Sequence, residues 1–160
     1  MALDRIDQNI LQVLQREGRI TNAELAERVR LSASACLRRV QRLESTGVIA
    51  AYVAQVDPHA VGLGLQAFVR VQLKQHDSET IERFVGLVND WSEVAACHAL
   101  TGDMDYLLNI HVADLEHFSR FLLDQLLNTA GVADVNSSFV LRTVKRSPSL
   151  PLGQLQGSAS

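Results

Sequence analysis

TNAELAERVRLSASACLRRVQRLESTGVI, residues 21 to 49, reads as two short helices joined by a tight turn, with arginines gathered on the second. Thr21 followed three residues later by Glu24 is a capping box, in which hydroxyl and carboxylate take up amide groups that a first helical turn leaves unpaired. A helix starts there. Leu25, Ala26 and Val29 give it an apolar side, Leu31 plugs the turn, Ser32 caps the next helix and Gly47 ends it. At roughly 100° per residue, Ala33, Cys36, Leu37, Val40 and Leu43 of the second helix fall on one apolar stripe, and Ser34, Arg38, Arg42 and Ser45 lie opposite. That second face is small, polar and cationic. It suits paired hydrogen bonds to guanine O6 and N7, or contacts with phosphate oxygens. Arginines on an isolated amphipathic helix are ordinarily just solvated, but a capped helix and turn in front of them favour a helix-turn-helix reader of double-stranded DNA. The candidate DNA contacts are Thr21, Asn22, Ser32, Ser34, Arg38, Arg39 and Arg42.

Charge is distributed accordingly. Residues 1 to 50 hold eight arginines against six acids, and the five arginines from Arg28 to Arg42 have no acid among them. Residues 51 to 160 hold seven basic and twelve acidic side chains, which brings the 160-residue chain to a formal net charge of −3. A basic end still attracts phosphates on an acidic molecule, because salt screens charges beyond ~8 Å at physiological ionic strength. With 47% hydrophobic residues a second core is within reach after a reader of this size. No apolar run approaches the ~20 residues that cross a bilayer, and the first residues lack the basic-then-apolar pattern of a secretion signal. Cys36 and Cys97 lie far apart, as structural thiols of a reducing compartment do. The expected location is the cytoplasm, with no membrane partner.

The rest of the chain follows from its periodicities. Asp4 caps a first helix whose Ile6, Ile10, Val13 and Leu14 form the third wall of the reader, and Gly18 stops it. IAAYVAQVD, residues 49 to 57, is β-like and ends at Asp57-Pro58, as a hinge strand would. In LQAFVRVQLK, Ala67, Val69, Val71 and Leu73 alternate with Phe68, Arg70, Gln72 and Lys74. A helix opens at Asp77 or Ser78, strands follow in EVAACHAL and YLLNIHV around the turn TGDMD, and a longer helix runs from Asp114 through Leu126. A last strand is expected in ADVNSSFVLRTVK, residues 133 to 145. The order β-α-β-β-α-β is the ferredoxin-like plan, with helices on one face of an antiparallel sheet, so the fold class is α+β. The expected divisions are a reader over residues 1–48, a hinge strand over 49–57, a ferredoxin-like domain over 58–146 and an irregular Ser-, Pro- and Gly-rich tail over 147–160. The second face of such a sheet is apolar enough to require cover, and pairing two sheets in a homodimer supplies it. A two-fold dimer also sets two recognition helices in successive major grooves, ~34 Å apart.

LDRIDQNILQVLQREGRITNAELAERV, LSASACLRRVQRLESTGVI and TGDMDYLL resemble, in order and spacing, the leucine-responsive/asparagine-synthetase-activator (Lrp/AsnC, feast/famine) transcription regulators. The resemblance covers the chain to about Lys145. It implies an N-terminal helix-turn-helix, a hinge strand, and a ferredoxin-like domain that dimerises and binds an amino acid, commonly with four dimers in an octamer and effector sites in the clefts between dimers. Many relatives carry prolines in the stretch matching Leu31 to Cys36, where this chain has Ala33 and Ala35. Relatives often place hydroxyl side chains at the positions matching Val135 and Ser137; this chain keeps only the second.

A free amino acid needs its carboxylate and its ammonium group satisfied together. Backbone amides at a Gly-containing turn can hold the first and a carboxylate such as Asp105 the second. Alone, GDMD reads as an ordinary surface turn; with the resemblance, Leu100, Thr101, Gly102, Asp103, Met104, Asp105, Tyr106, Val135 and Ser137 become the candidate effector site. Leu100, Met104 and Val135 would shape its apolar part, favouring leucine or methionine. No catalytic residues are assigned, since no nucleophile, phosphate-binding glycine loop or cofactor fingerprint accompanies Asp103 and Asp105. No cofactor and no metal are expected, because His59, His76, His98, His111 and His117 are scattered. Two alternatives stand beside the regulator: an enzyme resembling siroheme decarboxylase, which would be coloured when purified, and an effector-independent architectural protein that coats DNA.

Overall fold

The computed structural model describes residues 3–145 and 149–157, and the chain forms two compact units, residues 1–55 with 144–160, and residues 56–143. The first unit holds α1 (Arg5–Leu14), α2 (Asn22–Val29) and α3 (Ala33–Ser45). Each starts on a side-chain cap. Asp4 accepts from the Asp7 amide while Asp7 returns a carboxylate oxygen to the Asp4 amide, Thr21 and Glu24 do the same for α2, and Ser32 accepts from the Ala35 amide. Ile10, Leu11, Leu25, Ala26, Val29, Cys36 and Leu43 make the core, as the helical spacing requires. Leu37, expected on that apolar stripe, is 44% exposed. It lies at the edge of the stripe.

The irregular tail is a correction. Residues Leu152–Gly157 form a 3-10 turn, Leu152 packs on the reader core, and the Leu150 amide donates to Gln15 Oε1 at 2.6 Å. Leu150 and Leu152 line an apolar cleft of about 390 Å³ with Leu3, Leu11, Leu14 and Tyr52. Two leucines spaced two apart in a Pro- and Gly-rich stretch carry no periodic signal, yet they have apolar surface to bury. Residues 146–148 and 158–160 of the expected tail lie outside the described residues. Leu152→Ala is expected to lower the melting temperature of the reader by destabilising it about 1 kcal/mol; an unchanged melting curve would contradict this docking.

Among the described residues of the second unit, β1 (Leu65–Leu73), β2 (Val94–Ala99), β3 (Tyr106–Val112) and β4 (Val132–Phe139) form one antiparallel sheet in the order β2-β3-β1-β4. With α4 (Ser78–Asp90) and α5 (Leu115–Arg120) this is the ferredoxin-like βαββαβ fold. Ala67, Val69, Val71 and Leu73 of β1 and Tyr106, Leu108, Ile110 and Val112 of β3 are buried against Phe84, Val88, Phe118, Phe121 and Leu126. Trp91 closes one end of this layer, with ring centroids 6.2 Å from Phe84 and 5.3 Å from Phe121, both edge-on. The long helix expected through Leu126 changes register: Phe121–Leu126 is a π-turn, sealed by the Leu127 amide on the Leu122 carbonyl. In α geometry Phe121 and Leu126 would sit ~140° apart. The widened turn brings both into the core. Gly131, at φ 97°, then turns the chain into β4, and a Cβ there would stand 2.9 Å from Thr80 Cγ2, so only glycine fits.

Two strand expectations need correcting. Residues 49–57 form no ladder, and Tyr52, Val53 and Val56 stay exposed. Alternating apolar residues make a strand only where a neighbouring strand supplies hydrogen bonds, and none is adjacent among the described residues. For the same reason β4 stops at Phe139 instead of Lys145: its partner β1 begins at Leu65, and the last bond runs from the Val140 amide to the Gln66 carbonyl.

Candidate nucleic-acid interface and effector turn

The helix-turn-helix is locked by polar bonds as well as by its core. Asn22 Nδ2 donates to the Ala33 carbonyl at 2.9 Å, tying the start of α2 to the start of α3, and Arg30 takes the left-handed conformation (φ 57°) at the turn. Thr21 and Ser32, expected as contacts, are engaged as helix caps, although both remain exposed. Ser34 lies exposed beside Ser32, with their hydroxyls 3.4 Å apart.

The arginines separate into two groups that the helical wheel did not distinguish. Arg28 pairs with Glu17 through both terminal guanidinium nitrogens, Nη1 and Nη2. Arg39 Nη1 donates to Asp4 Oδ2 at 2.7 Å and to Asp7 Oδ1 at 2.8 Å, while Arg42 Nη2 donates to Asp7 Oδ2 at 2.6 Å. Among the described residues, Arg30 and Arg38 make no ion pair. Arg38 projects exposed from the middle of α3. Arg42 was expected to face DNA together with Arg38, but one side of its guanidinium is held by α1. The carboxylate that holds it, Asp7, is 1% exposed and was not among the expected functional residues. Its signal was there in Asp4-x-x-Asp7, the spacing of a capping box made of two acids. The Asp7 amide, and secondarily Arg39, hold the Asp4 carboxyl below its ordinary range. Burial raises the Cys36 and Cys97 thiols, so both are protonated at neutral pH.

In the second unit the turn from Leu100 to Asp105 is closed by one bond of its own and fastened to β1 at two points. The Leu100 amide donates to the Asp105 carbonyl at 2.7 Å, the Asp105 amide to the Val71 carbonyl at 2.9 Å, and the Leu73 amide to Asp105 Oδ2 at 2.7 Å. Asp105 Oδ1 lies 2.8 Å from His76 Nε2. The Leu73 amide is the main reason the Asp105 carboxyl sits below its ordinary range, with His76 adding to it. Thr101, Gly102 and Asp103 are exposed, Met104 is half-buried, and Gly102 holds φ 114°, a conformation that L side chains avoid. Val135 pairs with Val71 and Ser137 with Val69, so both lie on the helix-covered side of the sheet, and turn and Val135 share Val71 as anchor. Tyr106 departs from its expected role: its ring packs 4.8 Å from Phe84 inside the core. His76 was passed over as one scattered histidine, because only the fold brings it across 29 residues to Asp105.

Two family models match the chain: winged helix-turn-helix DNA-binding over residues 3–50, and the Lrp/AsnC ligand binding domain over residues 66–150. The leucine-responsive regulatory proteins of Salmonella typhimurium and Escherichia coli K12 are each 42% identical over 145 residues, 91% of this chain and 88% of theirs. Among solved structures, a transcriptional regulator from Neisseria meningitidis in complex with L-Met is 50% identical with a TM-score of 0.93, covering 96% of this chain and 99% of its own. A feast or famine regulatory protein from M. tuberculosis complexed with L-methionine is 35% identical with a TM-score of 0.79, over 91% and 96%. A capped recognition helix with a free arginine, a ferredoxin-like second unit and matches over nine-tenths of the sequence lead to one conclusion: the chain belongs to the Lrp/AsnC family of DNA-binding transcription regulators.

Proposed function

We propose that this regulator binds a specific double-stranded operator through α3 and that an aliphatic amino acid, leucine or methionine, adjusts its DNA affinity or its assembly. The observation that carries the DNA half is Arg38, the exposed arginine of a capped α3 that no carboxylate among the described residues neutralises. Arg38 contacts base edges with Ser34 alongside, Arg42 and Arg39 approach phosphates, and Thr21, Asn22 and Ser32 hold the helix ends at the backbone. The regulators already matched favour this over the siroheme-decarboxylase-like and purely architectural alternatives; a purified protein with a porphyrin absorption band would reverse the first preference, and binding without sequence preference the second.

The effector half rests on the turn. Gly102 and the amides around it hold the ligand carboxylate, Asp103 lies at its edge, and Leu100, Met104 and Val135 border its side chain, with Ser137 further along β4. Methionine bound to two of the matched regulators supports this class of ligand. Both oxygens of Asp105 already have partners, so the ligand's ammonium group shares this carboxylate with His76 or displaces it. The test is a thermal-shift screen of the twenty amino acids, in which a ligand at 100 times its Kd stabilises the folded state by ~2.7 kcal/mol. No stabilisation by any aliphatic amino acid would count against this reading.

Assembly follows from exposure. Phe68 stands on the uncovered sheet face, and Leu141 and Val144 beyond β4 are 98% and 85% exposed. The protein works as a homodimer or as an octamer of four dimers in the cytoplasm, with these surfaces covered by a second copy. A fragment of residues 56–143 is therefore expected to remain dimeric or larger in light scattering, and a stable monomer at micromolar concentration would contradict it. No helix among the described residues is long and apolar enough to cross a membrane.

A further inference from the structure

The carboxylate of Asp7 is buried, comes from a helix that carries no expected DNA contact, and receives guanidinium groups from two residues of the recognition helix. We propose that Asp7 is a positioning residue for DNA recognition: it holds Arg42 and Arg39 against α1, so that their remaining N–H groups form a fixed phosphate clamp on α3 and base reading is left to Arg38. This rests on α3 being the recognition helix, as set out above.

Three observations carry the inference. First, the sign of the charge: Asp4 and Asp7 together cancel two cations next to where phosphates would lie, which weakens general attraction to DNA, so what the cluster contributes is geometry. Second, the atoms: a guanidinium has five N–H donors, and for Arg42 the bond to Asp7 uses Nη2 alone, leaving Nη1 and Nε of a side chain that is 45% exposed. A long side chain anchored at one corner presents its other donors in one direction, whereas an unanchored one must be ordered on binding. Third, burial: at 1% exposure the Asp7 carboxylate is shielded from salt, so the clamp persists at ionic strengths that dissolve exposed pairs such as Arg83 with Glu79. Arg39 Nη1 bridges Asp7 and Asp4, which anchors α3 at a second point one turn earlier.

The test uses the full-length protein, a duplex selected by it from a random 30-bp pool, and a scrambled duplex of the same composition. Asp7→Asn is expected to lower the ratio of selected to scrambled affinity by about tenfold or more, the scale of losing one well-placed contact, while affinity for the scrambled duplex stays level or rises because a negative charge is gone. A folded Asp7→Asn protein with an unchanged ratio would overturn the proposal. If Asp7→Asn does not fold, Arg42→Lys decides: it keeps the charge at a half-exposed position but lacks the fork, so the same fall is expected, and a wild-type ratio would overturn the proposal. In a double-mutant cycle, Asp7→Asn added to Arg42→Ala should change specificity little further, since one acts through the other; a full additive loss contradicts that. Arg38→Ala is measured in parallel. Loss with Arg38→Ala but not with Asp7→Asn rejects only the positioning role, and no change with Arg38→Ala rejects the assignment of α3 and the proposal with it.

Discussion

Arg38→Ala is expected to weaken binding to the preferred operator by ~1–3 kcal/mol and to flatten base preference at one position of each half-site. The size comes from a bidentate contact of arginine with guanine, lost in a groove where its partners stay desolvated. Arg42→Ala should behave differently although the two residues lie one turn apart. Pinned to Asp7, Arg42 is assigned to phosphates that set the position of α3, so its loss should lower discrimination at all base positions of the half-site together, not at one, and reduce the salt slope by about 1. Fluorescence anisotropy against operators substituted one base at a time, at several salt concentrations, separates the two. A folded Arg38→Ala protein with unaltered base preference would remove Arg38 from the readout, and a Arg42→Ala protein that relaxed a single base position would show that both arginines read bases.

Asp105→Ala is expected to abolish the amino acid's effect on DNA binding and to destabilise the effector domain by about 1–3 kcal/mol, because it leaves the Leu73 amide at the end of β1 without its acceptor. Ligand-free DNA binding should survive, since the reader has its own core. Calorimetry decides the first half: undiminished leucine or methionine affinity would make Asp105 a turn residue only. The pH dependence decides the second. The folded-state pKa of Asp105 lies below that of the unfolded chain, held there by the Leu73 amide and then by His76. Its contribution is therefore complete above the unfolded carboxylate pKa of ~3.9 and is lost as pH falls through the lower, folded value. The stability difference between wild type and Asp105→Ala should be constant from neutrality down to about pH 4 and shrink below it. A difference that persisted undiminished in strong acid would mean that the carboxylate is not what holds the turn.

The helix-turn-helix was legible because its signals are local. Thr21 with Glu24, Ser32, Gly47 and a 3.6-residue apolar period act within a few residues of where they stand in the chain, and the structure repeats them. The two-residue alternation of Leu65–Leu73 gave the strand and its buried face for the same reason. What failed needed a partner elsewhere. The strand expected at residues 49–57 had the right composition and no neighbour to bond, and the strand expected to reach Lys145 ran out where β1 begins. The π-turn at Phe121–Leu126 replaced a regular helix because two large side chains had to enter one core, a demand set by the sheet beneath them.

The same division runs through the functional surfaces. Sequence alone determined which helix carries the exposed arginine face, where the Gly102 turn falls and the order of elements, since capping, periodicity and turn chemistry are properties of neighbouring residues. Only tertiary structure decided which arginine stays free. Arg38 and Arg42 are equivalent on a wheel, and a carboxylate 35 residues away in the chain distinguishes them. Asp105 likewise looked unattached until the fold delivered Leu73 and His76 to its two oxygens. Ion pairs and buried hydrogen bonds depend on distances of about 3 Å between groups far apart in sequence, and such distances exist only once the chain has packed.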